Sequence, residues 1–213
     1  MTSKLKRDQI PLAKANNWRQ SIKEEQKLTL NLKIPKFILQ KDTYKILAGE
    51  NENRVRIYLG LEPVKENGDL ELCAFAVSAF LLGSGDVYVD YETPVFKLEN
   101  NNVNCSLKNG EVIESIRRYR SWRKGEIDAE NESAAVRQYI YPNAYLLTKF
   151  ELHEIFNIQD KKEAQIEFGI SKTMNAMITP GVVGDKSIEA ELDVFDFTQP
   201  CPPICDDRSI YNS

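Results

Sequence analysis

The stretch 54–62, RVRIYLGLE, decides how this chain is read. Val55, Ile57, Leu59 and Leu61 alternate with Arg54, Arg56 and Tyr58, the period of two that marks a strand with one buried face. Gly60 predicts a bulge or a close approach of another backbone. The pattern returns at 165–170, QIEFGI: Ile166, Phe168 and Ile170 take the inner positions, Gln165 and Glu167 the outer ones, and Gly169 stands where Gly60 stood.

Upstream of each strand the parallel continues. Leu12, Ala15 and Trp18 fall at helical spacing, and so do Ile116, Tyr119 and Trp122. The chain's two tryptophans then coincide, as the pairs Trp18-Arg19 and Trp122-Arg123. Between helix and strand lie FILQKDTYKIL (37–47) and YLLTKFELHEIF (145–156), each read as holding a short second helix: 41–48, closed by Gly49, in the first, and a helix starting at Thr148, after an extended 136–147, in the second. A repeat sought early guards against a misread fold. The expectation is an α+β fold: two related helix–helix–antiparallel-sheet units in tandem, an internal duplication. The first unit is 1–99, a linker follows at 100–110, the second unit is 111–198, and 199–213 is a tail rich in cysteine and proline.

With 213 residues, 42% hydrophobic and 28% charged, the chain has the composition of an ordinary globular protein. A net charge of −4 argues against nucleic acid, which selects a basic surface. The basic run Arg117, Arg118, Arg120, Arg123 and Lys124 reads as a solvated helix face. The opening MTSKLKRDQIPLAK lacks the apolar core of a signal peptide. The longest apolar run, CAFAVSAFLL at 73–82, falls short of the ~20 residues a membrane span needs and reads as a strand covered on both faces. Four cysteines without an export signal predict reduced thiols in the cytoplasm.

Local signals fill in the rest. Pro11 suits the first position of a helix that runs to about residue 26. Asn67-Gly68 predicts a hairpin turn, and 87–91 alternates as a further strand. Thr148 and Glu151 form a capping box, with Leu147 and Leu152 flanking it. The stretch 174–184 reads as irregular, and 188–197 as a last strand. Asp86, Asp90 and Glu92 read as acids on the outer side of a sheet.

Candidate chemistry is sparse. No nucleophile elbow or phosphate loop is present, and His153, the one histidine, reads as a surface helix residue. Cys201 and Cys205 in CPPIC have neither the spacing of a dithiol redox site nor the four ligands that zinc takes. A bridge between them is geometrically possible but not expected in a reducing compartment. The Pro-rich tail reads as a segment that binds another protein or packs back on its own domain.

These pieces resemble a family of small uncharacterised cytosolic proteins found chiefly in the Bacteroidota. The residues that carry the resemblance are Trp18-Arg19, the strand 56–61, and the tail 201–205. The family members are single copies, so the resemblance implies a doubled version with one tail, and it implies no activity.

The expectation drawn from all this is a cytoplasmic, non-enzymatic interaction or assembly component with no cofactor, no metal and no catalytic residue. It takes a protein partner or another copy of itself, not nucleic acid and not a membrane. The partner-binding candidates are Cys201, Pro202, Pro203, Cys205, Trp18, Arg19, Trp122 and Arg123. The alternative is a thiol-redox or metal-binding protein using the CPPIC tail.

Overall fold

The computed structural model describes residues 6–28, 32–64, 69–83, 87–99, 103–126, 140–181, 193–196, 198–202 and 205–212. The first half of the chain supplies β1 (Gln9–Ile10), α1 (Leu12–Leu28), β2 (Leu32–Lys33), β3 (Phe37–Gln40) and α2 (Lys41–Ala48). A meander follows: β4 (Arg54–Pro63), β5 (Leu70–Leu81), β6 (Tyr88–Leu98) and β7 (Cys105–Leu107). The second half supplies α3 (Asn109–Arg123), β8 (Ala144–Leu147) and α4 (Lys149–His153), which runs on into a π-helical turn, Glu154–Ile158. Then come β9 (Glu163–Ile170), β10 (Met174–Pro180), β11 (Val194–Phe195), β12 (Thr198–Cys201) and a final 3-10 turn, Ile210–Asn212. The fold is α+β, with two antiparallel sheets.

The halves cross over. One sheet runs β1-β11-β10-β9-β3, the other β12-β8-β4-β5-β6-β7, with β2 parallel to β5 at its margin. Strand β3 of the first half therefore pairs with β9 of the second, Phe37 opposite Ile166. Strand β8 of the second half pairs with β4 of the first, Ile57 opposite Tyr145. Helix α1 packs on β9 and α3 on β4. Each sheet thus draws strands from both 1–99 and 111–198, and the boundary at 100–110 separates neither. That stretch itself contains β7 and the start of α3, while 100–102 lie outside the described residues.

The inward faces of the two sheets share one core. Ile57, Leu59 and Leu61 of β4 meet Ile166 and Phe168 of β9 within it. Phe168 packs against Phe37 at 5.9 Å and Tyr145 at 5.8 Å between ring centroids, and the Tyr145 hydroxyl donates to the Met174 carbonyl at 2.7 Å, tying sheet to sheet. The short helices close the same core, with Tyr44 of α2 stacked on Phe156 at 4.9 Å.

The outward faces are covered too, which corrects the half-buried reading. Every residue from Val55 to Leu61 is buried, as are Gln165 and Glu167. Alternation detects the core face, but helices α3 and α1 lie over the other. The two glycines permit this. A Cβ on Gly169 would stand 2.6 Å from Cβ of Trp18, and one on Gly60 2.6 Å from the Phe75 ring and nearer still to Ser115. Ser115, not Trp122, is thus the residue of α3 that lies where Trp18 lies on α1. Trp122 sits two turns further on, against Tyr119 and Tyr141. A slide of seven residues returns a helix to nearly the same face, so spacing alone could not choose between the two matches.

The short helices start where the local signals put them, α2 at Lys41 and α4 just after Thr148, and the FILQ and YLL that precede them are strand residues of β3 and β8. Two other local readings change. The first part of 174–184 is strand β10, held in register along the whole length of β9 from Met174 opposite Ile170 to Pro180 opposite Ala164. Of 188–197, Val194–Phe195 is strand, and 188–192 and 197 lie outside the described residues, as does the turn Asn67-Gly68 inside the β4–β5 hairpin. No described helix is long and apolar enough to cross a membrane.

The capping box at Thr148 is present as read. Glu151 accepts from the Thr148 backbone N–H at 3.0 Å and from its hydroxyl. Burial pushes the Glu151 carboxyl up to about 7, against the opposing pull of those hydrogen bonds, and burial pushes Asp196 up to about 6. Both groups hold their proton more tightly folded than unfolded. The contribution of these two groups to stability is therefore expected to be full below about pH 4 and to be lost as pH rises to about 7, by at most about 1.4 kcal/mol per pH unit for each group. Glu151→Gln preserves the box and should flatten part of that slope in urea melts between pH 4 and 8; an unchanged slope would count against a buried, protonated Glu151.

The crossover generates a second prediction. Residues 1–104 and 105–213 made separately each lack the partner of their central strand, so neither should melt cooperatively, and mixing them should restore native dispersion in NMR spectra. A single half that folds alone would overturn the intertwined reading.

Candidate functional site

Strand β4 carries a charge in the middle of the molecule. Arg56 is completely buried and its Nε lies 3.1 Å from Oδ1 of Asp90 on β6. The guanidinium also donates to the Tyr88 carbonyl at 3.0 Å, and the Tyr58 hydroxyl donates to the other Asp90 oxygen. Burial pushes the Asp90 carboxyl up while Arg56 pulls it down; burial, with Asp90 beside it, raises the Tyr58 phenol. Asp90 thus does not solubilise a sheet surface, as its alternation suggested. Glu92 is exposed, and Asp86 lies outside the described residues.

The C-terminal segment seals this cluster. The Asp90 backbone N–H donates to Asp206 at 2.9 Å. The Tyr211 ring packs on Tyr58 at 5.4 Å, and its hydroxyl donates to the Glu92 carbonyl. Arg120 holds the end of the chain, donating to the Tyr211 carbonyl and to Asn212, each at 2.7 Å. Arg123 is buried and donates to Asn143 just before β8. The basic run on α3 is therefore not a solvated face throughout: Arg117 is exposed, but Arg120 and Arg123 are fastenings.

The partner-binding candidates can now be placed. Cys201 is buried at 1% exposure in β12, whose backbone pairs with β8, Cys201 opposite Ala144. Cys205 is half-buried and bridged to it, with the Cα atoms 5.1 Å apart. This corrects the expectation of free thiols there: a four-residue separation around a turn brings the two Cα atoms within bridging range. Pro202 is exposed and Pro203 lies outside the described residues. The tail packs back on its own domain, one of the two readings its sequence allowed, and Cys201 and Tyr211 join a buried cluster there. Trp18 is half-buried over Gly169 with Lys14 above its ring at 4.6 Å, and Arg19 donates through Nε to Glu167 at 2.8 Å. Trp122 is buried. These residues do not converge: Trp18 and Arg19 lie over one sheet, Trp122, Arg123 and the tail over the other. Of the tyrosines at 139–145, Tyr141 and Tyr145 are buried, and Tyr139 lies outside the described residues.

One surface escaped the sequence reading. The apolar run 73–82 is buried as far as Ala79, but Leu81 and Leu82 are 49% exposed. Across the hairpin Val87 is 56% and Tyr91 43% exposed, and the Tyr91 ring leans on Phe80 at 4.7 Å. Residues 84–86, at the tip, lie outside the described residues. The signal was the continuation of the run to Gly83 and its resumption at Val87, past the point where helices cover the sheet. As for thiol chemistry, burial raises the Cys73 thiol far above its ordinary value, which keeps it from serving as a nucleophile, and Cys105 is exposed. His153 is exposed on α4 beside Asn157.

Removing one partner of a buried pair strands the other charge, at a cost of about 3–5 kcal/mol. Asp90→Asn is expected to destabilise by that order in denaturant melts and to loosen the C-terminal segment in hydrogen exchange; a shift under about 1 kcal/mol would show the pair to be solvated. The chain matches no family model, no curated protein and no solved structure.

Proposed function

We propose that the chain is a cytoplasmic, non-enzymatic interaction protein whose partner, a protein, seats on the apolar end of the β5–β6 hairpin. The observation that carries this reading is the exposure of Leu81, Leu82, Val87 and Tyr91 together at one end of an otherwise well-covered sheet. Apolar side chains left exposed in a group at one end of a sheet are a mark of an interaction site. The cytoplasmic setting is supported by the unpaired, exposed Cys105. It accommodates the Cys201–Cys205 bridge because one of its sulfurs is shielded from reductants in the core.

The same proposal takes the two halves to be related copies. What supports it is reciprocity: the long helix and one strand of each half dock on the hairpin of the other, and a glycine marks the same helix contact in β4 and β9. The outer edges match as well. Strand β12 lines β8, while Asn104 lines β3, donating to the Ile38 carbonyl at 2.8 Å and accepting from the Gln40 N–H at 3.0 Å. A second functional reading, thiol exchange, is favoured by the bridge itself, since Cys205 is the more accessible sulfur.

The test is a triple substitution, Leu81→Ser, Leu82→Ser and Val87→Ser. These side chains are exposed, so the melting midpoint should barely move, each change costing about 0.5 kcal/mol or less. Capture from the source cell should retain a protein with wild type that is lost with the variant. Loss of a dimer in light scattering would identify that partner as a second copy. Identical captured sets from two monomeric proteins would sink the reading, and release of a labelled thiol from Cys205 during capture would favour exchange instead.

A further inference from the structure

The two outward sheet faces differ. The C-terminal segment closes the one over β4, but among the described residues no such segment closes the one over β9. Beside it, between α1 and the chain just before β3, is a cleft of about 210 Å3. Its floor is apolar: Ile22 of α1, Ile34, and Phe168 of β9. Arg19, Ile22, Lys23 and Gln26 reach it because positions i, i+3, i+4 and i+7 share one helix face. The rim is cationic, with Arg19 and Lys23 from the helix and Lys36 from across the opening.

Among the described residues that line the cleft, one carboxylate faces these cations, and it pairs with two of them. Glu167 is buried at 4% exposure and accepts from Arg19 through one oxygen, while Lys36 lies 3.4 Å from the other. Lys23 has no ion pair among the described residues and is exposed. The cleft thus holds two positive charges in excess, in a protein whose net charge is −4. A local surplus of that sign, beside an apolar floor, complements a molecule with an apolar body and one negative group. The volume limits its size, since drug-sized ligands occupy ~300–1,000 Å3.

We propose that this cleft binds a small carboxylic acid with a single ring or short aliphatic body. The body lies on Ile22, Ile34 and Phe168, and the carboxylate faces Lys23 at the rim. Arg19 and Lys36 serve a different end: they neutralise Glu167, so that the buried acid does not repel the ligand.

The probes are phenylacetate, acetate and benzyl alcohol, titrated into the full chain by calorimetry and by NMR. Phenylacetate should saturate one site and bind about tenfold or more tightly than either of the others, because each lacks one half of the recognition. Lys23→Glu leaves every ion pair described for the cleft intact, so it should melt as wild type does and lose about tenfold in phenylacetate affinity. Equal binding of acetate would reduce the site to general anion attraction and overturn the proposal. Equal binding of benzyl alcohol, an unchanged affinity in Lys23→Glu, or no saturable binding would overturn it as well.

Discussion

Strand β4 has β8 on one side, and β9 has β3 on one side, and in each case the neighbour comes from the other half of the chain. This reciprocal pairing is the constraint on which the rest depends. A strand in the middle of a sheet must satisfy its backbone groups on both edges. Here each half brings only one edge of its own, through β5 or β10. The short helices then have to carry the chain from one sheet to the other. That is why α2 and α4 sit at the margin of a common core, with Tyr44 against Phe156, instead of on a sheet face. Pairings so distant in sequence delay the closure of the core until most of the chain is present.

The outward faces of β4 and β9 are covered in two different ways. At matching places in the two strands stand Arg56 and Gln165, and Tyr58 and Glu167, all buried. Polar groups in such positions are tolerable only when paired. On β4 the partners come from β6 and from the C-terminal segment, so that face is sealed. On β9 they come from α1 and from Lys36, and a cleft stays open beside them. Buried ion pairs contribute little net stability compared with apolar packing, but a misdocked helix or tail would leave a charge stranded.

The C-terminal segment illustrates the coupling between local chemistry and tertiary need. Its prolines and cysteines read as a segment that binds another protein or packs back on its own domain, and it packs back. Strand β12 pairs with the outer edge of β8, Asp206 accepts from the Asp90 N–H, and Tyr211 covers Tyr58. Pro200 is tolerated because β12 is an edge strand, where a missing N–H can point away from the sheet. The bridge between Cys201 and Cys205 fixes the turn that follows.

What the sequence determined by itself was local or periodic. The strands β4 and β9, the long helices α1 and α3, the Thr148–Glu151 cap and the closeness required at Gly60 and Gly169 follow from spacing, propensity and the absence of a side chain, and each was legible. The α+β class followed from the succession of those periods. What only the tertiary structure decided was which element covers which: that helices lie over the polar faces of β4 and β9, that FILQ joins a sheet, and that Trp18 corresponds in place to Ser115. Period two reports one buried face and is silent about the other, and a helix slid by two turns presents the same face. The buried pair Arg56–Asp90, the exposed end of the β5–β6 hairpin and the cationic cleft beside β9 were illegible for the same reason. Each is assembled from residues far apart in the chain, and nothing in the neighbourhood of any one of them records its partner.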